Sequence, residues 1–149
     1  FRSINYLIGE DHSRIAFLGH NIAELDDYGR YKGYSKALLD NGLSVVEDYI
    51  RVGIETREDA HHHMLSLLKL EIPPTAIFCT ADINALTAIA TLQQQGLHVP
   101  EDMAVIGCGN ISEGKFSYPP LTTIGPITRP FDDLAQVVMR RLTAKEQMP

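Results

Sequence analysis

The chain has 149 residues, 44% of them hydrophobic and 21% charged, with a formal net charge of -6. That is the composition of a globular domain, long enough to bury roughly 68–70% of its unfolded surface. The longest basic run is Arg140-Arg141, which argues against nucleic-acid binding by this chain, because phosphate contact needs a basic footprint. No apolar run approaches the ~18 residues of a membrane span. No secretory signal is visible, but the chain starts at Phe1 and not at Met, so it reads as a fragment. Cys79 and Cys108 have neither metal spacing nor the density of a disulfide framework; they are expected to be reduced thiols near one another at the ends of adjacent strands, with a redox switch as the alternative.

In chain order, Ile4, Leu7 and Ile8 give a short helical stripe that ends at Gly9. Ile15 to Gly19 reads as a buried strand. Asp27 to Asp40 reads as a helix, with Tyr31, Tyr34 and Leu38 on one face and Gly42 at its carboxyl end. Val45 to Val52 is a second strand. Thr56 caps the next helix, Asp59 completes an imperfect capping box, and Ala60, Met64, Leu67 and Leu68 form its apolar face. Thr75 to Cys79 is the third strand. Asp82 opens a helix expected to turn Ile83, Leu86, Ile89 and Ala90 inward, closed by Gly96. Met103 to Gly107 and Leu121 to Ile124 are the fourth and fifth strands. Pro130 suits the first turn of a last helix, whose stripe is Phe131, Leu134, Ala135, Val138 and Leu142.

Alternating strands and helices imply right-handed crossovers. The expected fold class is α/β: a three-layer, doubly wound parallel sheet of about five strands in the flavodoxin-like order 2-1-3-4-5. The stretch from Pro74 to Ile124 places two polar turns at strand carboxyl ends, the edge where open parallel sheets bind ligands. The loop from Gly109 to Pro120 joins two strands with little helical pattern and carries Phe116 and Tyr118. These two aromatics mark a pocket wall or a subunit contact, with local packing as the alternative.

Catalytic motifs are absent. There is no G-x-S-x-G elbow and no P-loop. Gly107 and Gly109 give G-x-G, but Ser at 112 breaks the dinucleotide fingerprint. His61, His62 and His63 fan out by ~100° per position on a helix and do not converge on one ion. His63 borders the apolar stripe, and the other two are expected to face solvent. His20, at the end of the first strand, is the better candidate for a cleft residue. No cofactor and no metal is expected, and the chain is not read as an enzyme.

Several pieces together resemble the effector-binding domain of the lactose-repressor/galactose-repressor family of bacterial transcription regulators. They are Arg30-Tyr31-Lys32-Gly33-Tyr34 with Ala37-Leu38 and Gly42, Pro74-Thr75-Ala76-Ile77-Phe78, and Asp82 with Ala85-Leu86. Gly96-Leu97, Val99-Pro100-Glu101-Asp102, Val105-Ile106-Gly107 and Pro119-Pro120-Leu121-Thr122-Thr123-Ile124 complete the set. The family's domain has two lobes joined by three crossovers, with the effector between them. The resemblance implies that residues 1–125 are the carboxyl-terminal lobe of a periplasmic-binding-protein-like domain. Residues 126–149 would be the crossover and a helix returning to the other lobe, displaced or docked on a neighbour in a fragment.

The resemblance further implies a cytoplasmic homodimer that senses a sugar or sugar-like effector. It would bind operator DNA only through an amino-terminal domain absent from this chain, with no membrane contact. A periplasmic sugar-binding receptor of a transporter shares the two-lobed fold and is the alternative. Arg30 matches the arginine that contacts effector hydroxyls or carboxylates, a task that suits its bidentate fork; its alternative is a solvated arginine paired with Asp26 or Asp27. Asp82 matches a helix-start aspartate, structural first and ligand-contacting second.

The chain also departs from the family pattern. Ala81 stands where the family often has Asn. Gly109 and Asn110 follow Cys108 where two aspartates are common. Glu55 stands where an aromatic residue often stacks, or is a solvated first-turn residue. With Arg30 and Asp82 these four positions make six candidate ligand contacts, and the departures imply an effector other than a standard sugar in the standard pose, or loss of sugar sensing. Leu86, Ala90, Phe116 and Tyr118 are the candidate dimer contacts, with the core as the competing place for Leu86 and Ala90.

Overall fold

The computed structural model describes residues 1–20 and 29–125. The expected helix at 130–143, and the first two residues of the one expected from Asp27, lie outside them.

The element order is α1 (Arg2–Gly9), β1 (Ile15–Leu18), α2 (Arg30–Asp40), β2 (Ile50–Arg51), α3 (Arg57–Leu68), β3 (Ala76–Cys79), α4 (Asp82–Gln94), β4 (Ala104–Cys108) and β5 (Thr122–Ile124). The five strands form one sheet in the order β2-β1-β3-β4-β5, every pair parallel. The α/β class and the 2-1-3-4-5 order are those expected from the alternation of elements.

Each helix forms for a local reason. Glycine ends α2 and α4 in the same way. Gly42 and Gly96 take φ of +74° and +76°, and the next residue's N–H reaches back to Leu38 or Leu92 at 2.9 and 3.0 Å. A residue without a Cβ takes that left-handed turn cheaply. At the start of α3, Thr56 Oγ1 accepts the Asp59 N–H at 3.1 Å while Asp59 Oδ2 accepts the Thr56 N–H at 2.8 Å, a complete capping box.

Strands β1 and β3 are buried along their whole length, which requires cover on both faces. On one face α1 and α2 bring Ile4, Leu7, Tyr34 and Leu38 against Phe17, Phe78 and Ile106. The Tyr31 and Tyr34 rings sit 5.6 and 5.3 Å from Phe17. On the other face α3 and α4 bring Met64, Leu67, Ala88 and Leu92 against Leu18, Ile77 and Val105. Each large side chain buried this way contributes on the order of 1.5–3 kcal/mol.

Two expectations need correcting. The second strand is only Ile50–Arg51, preceded by a 3-10 turn at Glu47–Tyr49. That turn swings Tyr49 inward, where its hydroxyl donates to the Ile72 carbonyl at 2.8 Å. A straight strand from Val45 would give up this anchor. The inward face of α4 is Ala85, Ala88, Ile89 and Leu92, whereas Ile83 and Leu86 are half-buried and Ala90 is exposed. The helix lies so close to β4 that a Cβ on Gly107 would come within 3.2 Å of Ala85 Cβ. Close approach over Gly107 brings the small Ala85 inward there, while Ile89 faces inward as expected.

Candidate ligand-binding edge

In a parallel sheet all strand carboxyl ends share one edge. The turns after β1, β2, β3, β4 and β5 therefore bring His20, Glu55, Ala81-Asp82, Gly109-Asn110 and Gly125 to the same rim. Arg30 joins them as the first residue of α2, half-buried behind Gly29, which takes φ +68°. His20 is half-buried there as well.

Asp82 is the centre of this rim. It is 2% exposed, and both carboxylate oxygens are engaged. Oδ2 accepts the Ile111 N–H at 2.8 Å, and Oδ1 accepts the Thr123 hydroxyl at 2.5 Å. As the first residue of α4 it also places negative charge at the positive end of the helix dipole. The carboxylate thus ties the β3–α4 turn to the loop after β4 and to β5. Gly107 makes room for it, because a Cβ there would collide with Asp82 Oδ1.

Gly109 and Asn110 form the adjoining turn at φ +139° and +55°. The first is a region that L side chains rarely enter and the second is tolerated by Asn. Both residues are exposed, so the turn faces outward from the Asp82 latch. Ala81, half-buried, contributes no hydrogen-bonding side chain.

Glu55 lies farther along the rim. Its side chain is exposed while its N–H donates to Asp59 Oδ2 at 3.2 Å, so the α3 cap fixes the backbone and leaves the carboxylate outward. The structure therefore ties Asp82 to the Gly109-Asn110 turn through the Ile111 N–H and the Thr123 hydroxyl, and places Arg30 and Glu55 on the same edge. Thr123 and Gly125, which complete the latch, were not singled out from the sequence. Their spacing from Asp82 is topological, across β3, β4 and β5, and leaves no local pattern. The Thr80 hydroxyl and the Asn84 amide nitrogen, both buried at this edge, have no hydrogen-bond partner among the described residues.

The histidine run differs from expectation at one position. His61 does not face solvent but is half-buried, its Nδ1 2.8 Å from Thr91 Oγ1 on α4. Thr91 donates its proton to the Thr87 carbonyl at 2.8 Å, so His61 Nδ1 must be the donor. Among the described residues no three His, Cys, Asp or Glu side chains gather as a metal site requires. No described helix is long and apolar enough to cross a membrane.

Of the expected dimer residues on α4, Ala90 is exposed and Leu86 is half-buried and packs against the core. Phe116 and Tyr118 are 87% and 88% exposed, and the Gln93 side chain of α4 donates to the Tyr118 carbonyl at 2.6 Å. That bond lays the loop beside the α4 flank bearing Leu86 and the exposed Ala90.

Comparison with known proteins agrees with this architecture. Residues 4–148 match the periplasmic binding protein-like domain. The transcriptional repressor CytR of Escherichia coli strain K12 is 43% identical over 125 residues, covering 83% of this chain and 36% of that protein. The transcriptional repressor PurR of Pasteurella multocida is 36% identical over 124 residues, covering 83% and 37%. The solved complex of the transcriptional regulator CelR with cellobiose superposes with a TM-score of 0.79 at 27% identity, over 98% of this chain and 45% of that one. The chain thus spans little more than a third of the length of the curated relatives it matches. It belongs to the periplasmic binding protein-like domain family, in the form that the lactose-repressor/galactose-repressor regulators use as their effector-binding domain.

Proposed function

We propose that this chain is the effector-sensing and dimerisation part of a bacterial transcription repressor that works in the cytoplasm. Residues 1–125 would be one lobe, and residues 126–149 would return to a second lobe. The observation that carries this reading is the rim itself. The polar turns after β3 and β4 meet β5 at one sheet edge, latched by a buried aspartate, on a chain whose relatives are helix-turn-helix repressors. Those relatives weigh against a transporter receptor and against an enzyme. Phe1 and Gly125 also stand at this edge. A second lobe joined through them would close over a ligand held there.

In this reading Arg30 supplies a fixed cation with a bidentate fork. Glu55 supplies an acceptor, Asn110 an amide, and Gly109 and Ala81 leave room. The CelR complex holds cellobiose. Here the acids expected after β4 are replaced by Gly109-Asn110, which moves specificity towards a sugar-like ligand with fewer hydroxyls to share between carboxylates. Ligand closure of the lobes would bias a homodimer formed through Leu86, Ala90, Phe116 and Tyr118, and with it the spacing of DNA-reading heads outside this chain.

A screen of sugars and sugar-like compounds by calorimetric titration tests the reading. A binder should lose at least about tenfold in affinity in Arg30→Ala, since a charge-assisted bidentate contact is worth roughly 1.5–3 kcal/mol. Titration heats identical in wild type and Arg30→Ala would contradict it.

A further inference from the structure

The turn after β4 is held unusually tightly for an exposed segment. Its three successive N–H groups each have a fixed acceptor outside the turn. Gly109 donates to the Ile124 carbonyl at 2.8 Å, Asn110 to Thr123 Oγ1 at 3.2 Å, and Ile111 to Asp82 Oδ2 at 2.8 Å. Thr123 stands between the other two anchors: it takes the Asn110 N–H and gives its own proton to Asp82 Oδ1. Only a residue with both a donor and an acceptor on one short side chain can do this. The left-handed φ of Asn110 is a conformation the turn holds because these bonds define it.

One residue past β5 the backbone presses on the same turn. A Cβ built on Gly125 would lie 2.7 Å from the Gly109 carbonyl carbon and 2.8 Å from both the N and the Cβ of Asn110. No side chain fits between the departing chain and the turn. Close-packed contacts of this kind transmit displacement instead of absorbing it.

We propose that Thr123 is a positioning residue for the ligand-facing turn Gly109-Asn110, and that Gly125 couples the state of that turn to the direction in which the chain leaves β5. The proposal rests on reading Gly109-Asn110 as ligand-facing. A ligand that pulls on Asn110 moves a backbone that has no slack against Thr123 or Gly125. The displacement passes into the segment that leads away from this lobe. Specificity and signalling then share one device.

The test is amide hydrogen exchange and amide resonance mapping by NMR on the chain itself, with no ligand present. Thr123→Val removes both the donor and the acceptor, and should speed exchange at Asn110 and Ile111 by roughly tenfold while Ala88 and Leu92 inside α4 keep their rates. Thr123→Ser keeps both groups and should stay within about twofold of wild type at all four amides. Gly125→Ala should shift the Gly109 and Asn110 resonances, and Asn110→Gly should shift that of Gly125. Wild-type exchange at Asn110 and Ile111 in Thr123→Val, or unmoved Gly109 and Asn110 resonances in Gly125→Ala, would overturn the proposal. If Thr123→Val unfolds the chain, Thr123→Ser and Gly125→Ala decide it. The effector reading fails in a different experiment, the Arg30→Ala titration.

Discussion

Asp82 lies buried with two neutral donors on its oxygens, an N–H and a hydroxyl. Replacing it by Asn preserves shape but turns one acceptor into a donor facing one of those donors. A buried donor without an acceptor costs about 1–3 kcal/mol, so Asp82→Asn should lose that much stability in urea titration. Asp59 makes the opposite kind of statement at the surface. Hydrogen bonds from the Thr56 hydroxyl and N–H hold its carboxyl below the ordinary value. A carboxyl lowered on folding adds stability that is complete above the unfolded value near 4 and is lost as pH falls through the folded value. Asp59→Asn should therefore flatten the acid limb of the stability–pH curve, and an unchanged limb would remove the box from the account. Thr56→Ala should cost about 1 kcal/mol near neutrality. The cap was readable from Thr56 and Asp59 because its partners are three residues apart. The Asp82 latch was not, because its partners are 29 and 41 residues away and meet only once the sheet is built.

Glycines at positions 42 and 96 and the strand–helix alternation made most elements legible, because their causes are local. The face of α4 was misread for a reason that belongs to packing. Large apolar residues suggested one stripe, but the narrow gap over Gly107 admits only Ala85 and its neighbours. Gly107→Ala should cost roughly 1–3 kcal/mol of overpacking, read from the denaturation midpoint. A neutral result would show that the Asp82 carboxylate and α4 can both give way to a Cβ at 107. The two cysteines illustrate the same gap between sequence and space. Phe78 pairs with Ile106, so Cys79 lies beside Gly107, and Cys108 is one residue further on. Cys79 packs with α3 and α4, whereas Cys108 packs on the α1–α2 side. Neither is in a disulfide. Strand alternation thus points them to opposite faces, away from disulfide geometry. Burial pushes the Cys79 thiol far up from its ordinary value. The half-buried Cys108 should react first with a thiol reagent, and gel mobility should be the same with and without reductant. A faster oxidised band would contradict this.

For the molecule as a whole, the sequence carried the topology because β–α alternation leaves few chirally allowed arrangements. It did not carry the joining of rim residues into one latch. The exposed loop aromatics belong to this scale too. If Phe116 and Tyr118 form the proposed dimer contact, the chain should sediment as a dimer and Phe116→Asp together with Tyr118→Asp as a monomer of unchanged helix content; a monomeric wild type, or a double variant that sediments unchanged, would contradict that contact. The central claim is that the carboxyl edge of this sheet receives a small polar ligand. Its most direct test is amide resonance mapping of the chain against a panel of sugars, nucleosides and amino acids. The account predicts that the perturbed amides cluster at Arg30, Glu55, Ala81-Asp82 and Gly109-Asn110. A binder whose perturbed amides cluster at the opposite sheet edge, or no binder at millimolar concentration anywhere in the panel, would contradict it.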